Sequence, residues 1–416
     1  MPHRPAACVV ASILLAPVAT GQMFMELGDL PGGDVFTRPN DISADGSVIV
    51  GVSESSLGSE AFRWTLDTGI VGLGDLPGGF ESSSANGVSA DGTIIVGTGA
   101  SFVSSGELVT WNGTAGPTSL GFLPGGGGSL GNNTSANGLV IVGEGSNNQG
   151  RPEAFRWTAA TGLVGLGDLP GGIGSNDPFN SRANDVSADG SVIVGQGFSS
   201  RGFEAVRWTA ATGVEDLGTF ADGSIAIEAT AITPDGSVIV GRGAIPGGSQ
   251  AFRWTAATGL VGIGDLPGAA LQSRAFDVTA DGSMIVGSGF APVVQTTGFV
   301  WTEAEGIRSI ESFLTNEIGL DIGDLRLGAV RAVSDDGNVL TGVARNTQNR
   351  SVGWVAVLTA DECPADANGD GELTPADFNA WVIAFNTSAD ACDQNGDGLC
   401  DPADFNAWVL NFNAGC

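Results

Sequence analysis

The chain has 416 residues, with 16 Lys+Arg against 46 Asp+Glu and a formal net charge of -30. Every basic residue in that count is arginine, lysine and tyrosine are absent, and the only histidine is His3. Lysine-based catalysis is thereby excluded, and the acidity sets a broad repulsion against nucleic acid and anionic membranes.

Residues 1–21 read as a secretory signal: His3 and Arg4 give a basic start, Cys8 to Ala16 an apolar core, and Ala19-Thr20-Gly21 a small-residue cleavage site. The apolar run is too short to span a bilayer, so no membrane insertion is expected. With those residues removed, histidine-based catalysis is excluded as well. From residue 22 to about 360 one sentence is rewritten again and again, with Glu153 to Gly197 as its clearest copy. The glycine of the SADG-like turn falls at Gly46, Gly92, Gly138, Gly190, Gly236, Gly282 and Gly337, at spacings of 46, 46, 52, 46, 46 and 55 residues. Trp64, Trp111, Trp157, Trp208, Trp254, Trp301 and Trp354 keep the same step.

Each unit predicts four short strands. Asp-Gly at the turn favours a tight hairpin, and the β-branched SVIVG that follows is too short for a helix. EAFRWT alternates and is aromatic, TAATG turns, and GLVGLGDL is expected as the fourth strand before a Pro-Gly-Gly stop. Four strands per unit of roughly 45 residues is the signature of a β-propeller blade. The expected fold class is therefore all-β, a seven-bladed β-propeller of four-stranded blades over residues 22–360. A lone fourth-type strand at Phe24 to Leu30 and a third-type strand without its partner at Ser351 to Leu358 imply that both termini complete one blade.

Two connections of each unit vary, such as Gly172 to Ser181 and Gly195 to Glu204, with Phe179, Phe198 and Phe203 among them. Both emerge on one face of the disc, the expected binding face for a polysaccharide or protein ligand. The hairpin aspartates Asp45, Asp91, Asp189, Asp235 and Asp281 read as turn formers. Glu81, Asp177, Glu204, Asp222 and Glu228 fall in or near the variable loops and keep a two-carboxylate enzyme open, although no spacing pairs them. Arginine and aspartate recur twelve positions apart as Arg63 with Asp75, Arg156 with Asp168 and Arg253 with Asp265, which predicts a diagonal pair on neighbouring strands. Near the end of the array, Ser309 caps a helical spacing of Ile310, Phe313, Leu314 and Ile318, expected to cover apolar surface.

The repeat resembles the HAF family of extracellular repeats, in which a W-T pair, a G-D-L or G-T-L strand and an S-A-D-G-x-x-I-V-G hairpin recur. That resemblance implies an exported protein.

Residues 361–416 form a different module. Asp366, Asn368 and Asp370, and again Asp393, Asn395 and Asp397, place oxygen ligands at loop positions one, three and five. Glu372 and Leu399 offer backbone carbonyls at position seven, and Asp377 and Asp404 stand at position twelve. All-oxygen cages of this kind suit calcium, here two ions. Each loop precedes one helix, with apolar stripes Phe378, Trp381, Val382, Phe385 and Phe405, Trp408, Val409, Phe412, expected to pack on each other. The four cysteines Cys363, Cys392, Cys400 and Cys416 suit an oxidising exterior. Of three pairings, Cys363 with Cys416 and Cys392 with Cys400 is favoured. Two loop-helix copies resemble the type I dockerin, in its cysteine-containing variant. The resemblance implies a cohesin-like or other cell-surface docking partner, although Pro375-Ala376 and Pro402-Ala403 stand where dockerins often carry Ser-Thr. The reading is a secreted binding or scaffold protein at a cell surface. The alternatives are a propeller enzyme, a glycoside hydrolase or polysaccharide lyase, and a purely structural surface component.

Overall fold

The computed structural model describes residues 22–358 apart from 80, 114–115, 172–179, 269–270 and 292–294, and beyond them 367, 374–387, 392, 400 and 402–414. The expected signal segment lies outside the described residues. The chain divides into two compact units, Phe24–Leu358 and a second that includes Thr359–Cys416.

The larger unit is all-β. Strand β1 (Met23–Glu26) is followed by β2 (Gly32–Ile42), β3 (Ile49–Ser55), β4 (Ser59–Thr65) and β5 (Gly69–Gly72). β2 to β5 pair in sequence order, and five further four-stranded sheets repeat that meander, beginning at Ser83, Ser129, Arg182, Ile225 and Arg274. The last three strands, Arg326–Val333, Val339–Arg345 and Ser351–Val357, take β1 as their fourth member. This set meets β2 through a single parallel bridge, Phe36 to Ser351, so that eight strands are connected. The terminal strand thus completes the last sheet as expected: Phe24 stacks on Trp354 at 5.6 Å and Leu27 N donates to Gly353 O at 2.9 Å.

The fourth strand is shorter than expected. It stops at Gly72 or Gly165, and the LGDL run that follows is irregular, with Leu76 and Leu169 buried beneath it. The register places Arg156 opposite Val164, four residues before Asp168. The predicted arginine–aspartate diagonal does not form. Asp168 Oδ1 accepts from Phe198 N and Leu169 N at 2.6 and 2.8 Å, and Asp265 accepts from Gln272 N and Gln250 Nε2. The aspartate organises the loop beyond the strand, where its carboxylate meets backbone donors.

The SADG-like turns hold the sheets to one another. Ala44 N donates to Ala90 O, Ala90 N to Ala136 O, Ala136 N to Ala188 O and Ala188 N to Pro234 O. The series resumes with Ala280 N to Asp335 O and closes with Asp335 N to Ala44 O at 2.9 Å. Its single gap falls at Pro234, which has no N–H to donate. The turn glycine has two reasons to be glycine. Gly92 sits at φ +70°, and a Cβ there would lie 2.5 Å from Val48 Cγ2 of the preceding sheet. Gly46 makes the same approach to Val339 of the last sheet, at 2.4 Å, so this contact also runs full circle. The turn aspartates do what was expected of them: Asp91 Oδ1 accepts from Ser89 Oγ, Thr93 N and Thr93 Oγ1, and those bonds hold its carboxyl below the ordinary value.

Ser309 caps the helical segment near the end of the array, accepting from Ser312 N at 3.2 Å. One turn, Ile310–Ser312, continues as a wider turn, Phe313–Ile318, that ends at Gly319 with φ 86°. Ile310, Phe313 and Leu314 are buried in the core shared with Trp354 and Val330, which is the covering role read from the sequence.

In the second unit, α1 (Pro375–Thr387) and α2 (Pro402–Ala414) pack through their aromatic stripes. Trp381 and Trp408 are both buried, and Phe378 lies 5.3 Å from Trp408. A disulfide joins Cys392 and Cys400, with Cα atoms 5.6 Å apart. Cys363 and Cys416 lie outside the described residues.

Candidate functional site: the two ends of the axial channel

The inner strands carry a β-bulge at one repeated position, between Pro39 and Asp41 in β2 and between Ala85 and Gly87, Ala183 and Asp185, and Ala275 and Asp277 elsewhere. A bulge turns two consecutive side chains out of strict alternation. The first of them bridges sheets: Asn40 Nδ2 donates to Ala85 O at 2.8 Å, Asn86 to Gly131 O at 2.8 Å, Asn132 to Ala183 O at 2.7 Å and Asn184 to Ala229 O at 2.7 Å. Thr230 Oγ1 continues the series to Ala275 O at 2.9 Å.

The second bulged residue builds the turn-face end of the channel. Asp41, Asp185 and Asp277 each accept a backbone N–H from the following sheet, from Val88 at 2.8 Å, Ile232 at 2.8 Å and Val333 at 2.9 Å. Just before each donor stands a small residue, Gly87, Ala231 or Ala332, which leaves the N–H open to the carboxylate. The three aspartates line a cavity of about 180 Å³ together with Asn133, Pro234 and Asp335. Burial pushes Asp185 up to about 6 and Asp277 up to about 7, against the backbone donors that pull the other way. Asp41 is raised well above the ordinary carboxylate value, by burial first and then by the charge of Asp277.

Two residues before the bulge, the inner strands carry Arg38, Ser84, Leu130, Arg182, Glu228 and Arg274. Since each inner strand runs from a variable connection to its SADG-like turn, this row lies toward the variable-loop face. Glu228 is buried and meets Arg242 Nε at 3.1 Å and Arg274 Nη2 at 3.0 Å. Arg182 lies 3.7 Å from Glu144. In the last two sheets the bulge amide is replaced by Phe276 and Arg331, and the guanidinium carbons of Arg274 and Arg331 sit 5.0 and 4.8 Å from the centre of the Phe276 ring. Burial, and then the like charges of Arg38 and Arg274, bring Arg331 down to about 10. The Nε atoms of Arg182, Arg274 and Arg331 are buried without a hydrogen-bond partner.

The loop carboxylates singled out in the sequence do not converge. Glu204 is buried against Ser199 and Arg201, Glu228 is held by its two arginines, Asp222 accepts from Ser224 N at 2.9 Å, and Glu81 is exposed. Asp177 and Phe179 lie outside the described residues. Phe198 and Phe203 meet edge to face at 5.2 Å across their hairpin. Of the expected calcium ligands, Asp377 and Asp404 are fully buried at the starts of α1 and α2. Asp377 also accepts from Thr374 N at 2.7 Å, half of a capping box. Asp366, Asn368, Asp370, Glu372, Asp393, Asn395, Asp397 and Leu399 lie outside the described residues. Of the two channel rows, the sequence singles out Glu228 alone, although aligning the inner strands on their SADG turns brings out Asp41, Asp185 and Asp277 in one column.

Four-stranded meanders closed in a circle around an axial channel define the β-propeller class. The comparisons agree at the level of fold. No family model and no curated protein matches. Among solved structures, an oligogalacturonate lyase from Vibrio parahaemolyticus aligns with a TM-score of 0.51 at 12% identity, over 81% of this chain and 97% of that one. A prolyl endopeptidase aligns with a TM-score of 0.50 at 11% identity, over 81% of this chain and 50% of that one. The β-propeller domain of a protease from Pyrococcus furiosus aligns with a TM-score of 0.48 at 10% identity, over 81% and 94%.

Proposed function

We propose that the chain is an exported seven-bladed β-propeller that acts by binding at its variable-loop face, attached to a surface or extracellular assembly by a calcium-binding, dockerin-like module. The five four-stranded sheets and the two halves of the eight-stranded one supply the blades. Export rests on the signal-like start and on the resemblance of the repeats to the HAF family. One observation carries the binding reading. Next to a row repeated for packing, where Ser83, Ser129, Ser181 and Ser273 accept a backbone N–H from the preceding sheet, stands a row of mixed chemistry, with Ser84, Leu130 and Glu228 among Arg38, Arg182 and Arg274. The copies agree where blades must pack and diverge where the channel opens among the variable loops.

The lyase and the endopeptidase share a fold with this chain, and one fold carries many functions. A panel of extracellular polysaccharides separates the readings. Retention without product release is expected for the full-length protein. Release of shortened or unsaturated products would replace binding with the enzymatic reading, and no retention would leave a structural component.

Calcium is the module's expected ion. Aspartates at positions one and five repel each other in an empty loop, so that binding is coupled to folding. Calorimetric titration of the full chain should give two sites with Kd of roughly 10⁻⁴ to 10⁻³ M. Asp370→Ala combined with Asp397→Ala should remove the heat, and an unchanged titration would refute the assignment.

A further inference from the structure

We propose that the loop-face mouth of the axial channel is an anion site, in which Arg38, Arg274 and Arg331 receive the carboxylate of a small organic acid. The proposal rests on the reading of the loop face as the binding face and names the ligand class for it.

The first argument is charge. Carboxylates outnumber arginines by 30 in this chain, yet among the described residues neither Arg38 nor Arg331 has a carboxylate within ion-pairing distance, and Arg274 shares Glu228 with Arg242. Arg331 is half-buried and Arg38 exposed; a cation withdrawn from water without a partner is costly, and like charges brought beside it add to that cost. An anion entering the mouth relieves that repulsion. The buried, unpartnered Nε of Arg331 and of Arg274 offers donors already stripped of water.

The second argument is shape. A guanidinium is a planar fork that matches a carboxylate with two parallel N–H bonds. Phe276 lies beneath both Arg274 and Arg331 and fixes their planes without competing for their donors. The opposite end of the channel carries Asp41, Asp185, Asp277 and Asp335, so an anion is directed to the arginine end alone. A long polyanion would meet the acidic surface on all sides, which favours a ligand of one or two charges.

The test is calorimetric titration of the full-length protein with glucuronate, with glucose and with inorganic sulfate, at low and at physiological ionic strength. Glucuronate is expected to bind, more weakly as salt rises, and glucose is not. Arg331→Met should lower glucuronate affinity by about tenfold or more, the worth of a charge-assisted hydrogen bond. Its ligand-free Tm should equal or exceed that of the parent, because a half-buried cation without a carboxylate partner has gone. Arg38→Gln supplies a second, more conservative loss of affinity. Sulfate bound as tightly as glucuronate would overturn the carboxylate assignment. Absence of glucuronate binding, or binding unchanged in both variants, would overturn the site. A neutral polysaccharide retained on the panel without glucuronate binding would remove this proposal and leave the binding-face reading in place.

Discussion

Deletion of residues 24–30 is expected to abolish the monomeric, cooperatively folded propeller. These residues supply the fourth strand of the last sheet, the stacking of Phe24 on Trp354 and the backbone bond from Leu27 to Gly353. They also bury Leu27 and Leu30 in the core with Phe62, Trp64 and Val355. Removing two buried leucines costs about 2–5 kcal/mol each, before the loss of strand pairing is considered. That approaches the roughly 5–15 kcal/mol by which a whole domain is stable. The deletion also exposes an unpaired sheet edge, which pairs with other chains. Size-exclusion chromatography and thermal melting should show association and a lost transition. A monomer that melts at the parent temperature would refute closure by the N-terminal strand.

Stability should fall as pH rises from 5 to 8, and the aspartates at the turn-face end of the channel should account for much of that fall. In the unfolded chain these carboxyls titrate near the ordinary value of about 4. In the folded chain burial raises Asp185 to about 6 and Asp277 to about 7. Between those limits the folded state binds more protons than the unfolded one, so stability decreases with pH. The contribution is fully present below about pH 4 and is lost as pH rises through the two folded values. At about 1.4 kcal/mol per unit, each of the two groups contributes on the order of a few kcal/mol. Asp277→Asn stays neutral throughout and retains one acceptor for Val278 or Val333. Its Tm should vary less steeply with pH than that of the parent. A slope equal to the parent's would mean that Asp277 is ionised across the range. The remaining slope belongs to Asp41, Asp185 and the general acidity of the surface.

The circular order of the sheets and the gap at Pro234 follow from features that are local in sequence. Asp-Gly turns, β-branched runs and a tryptophan repeating in step each specify a hairpin within about ten residues. The orphan strands at either end of the array follow from the same periodicity. The arginine–aspartate diagonal is absent for a physical reason. A pair on neighbouring strands depends on where the turn sits and where the fourth strand stops, and Gly165 ends that strand before Asp168. Shared ancestry of the copies accounts for the recurrence of the two residues without a contact.

By itself, the sequence determined the period, the four-stranded meander and the completion of the last sheet by the first strand, because backbone hydrogen bonding and hydrophobic alternation act over short distances along the chain. The paired aromatic stripes of α1 and α2 were legible for the same reason, since the stripes recur at fixed local spacing. Only the tertiary structure decided which side chains meet at the axis. Asp41, Asp185 and Asp277 come from three different sheets, whereas Arg38 and Arg331 come from the two halves of the eight-stranded sheet and Arg274 from another. Their direction is set by a bulge that shifts the side-chain alternation by one residue. Closure of the ring then brings the last sheet against the first, placing Arg331 near enough to Arg38 for their charges to repel. That neighbourhood has no counterpart in the order of residues along the chain.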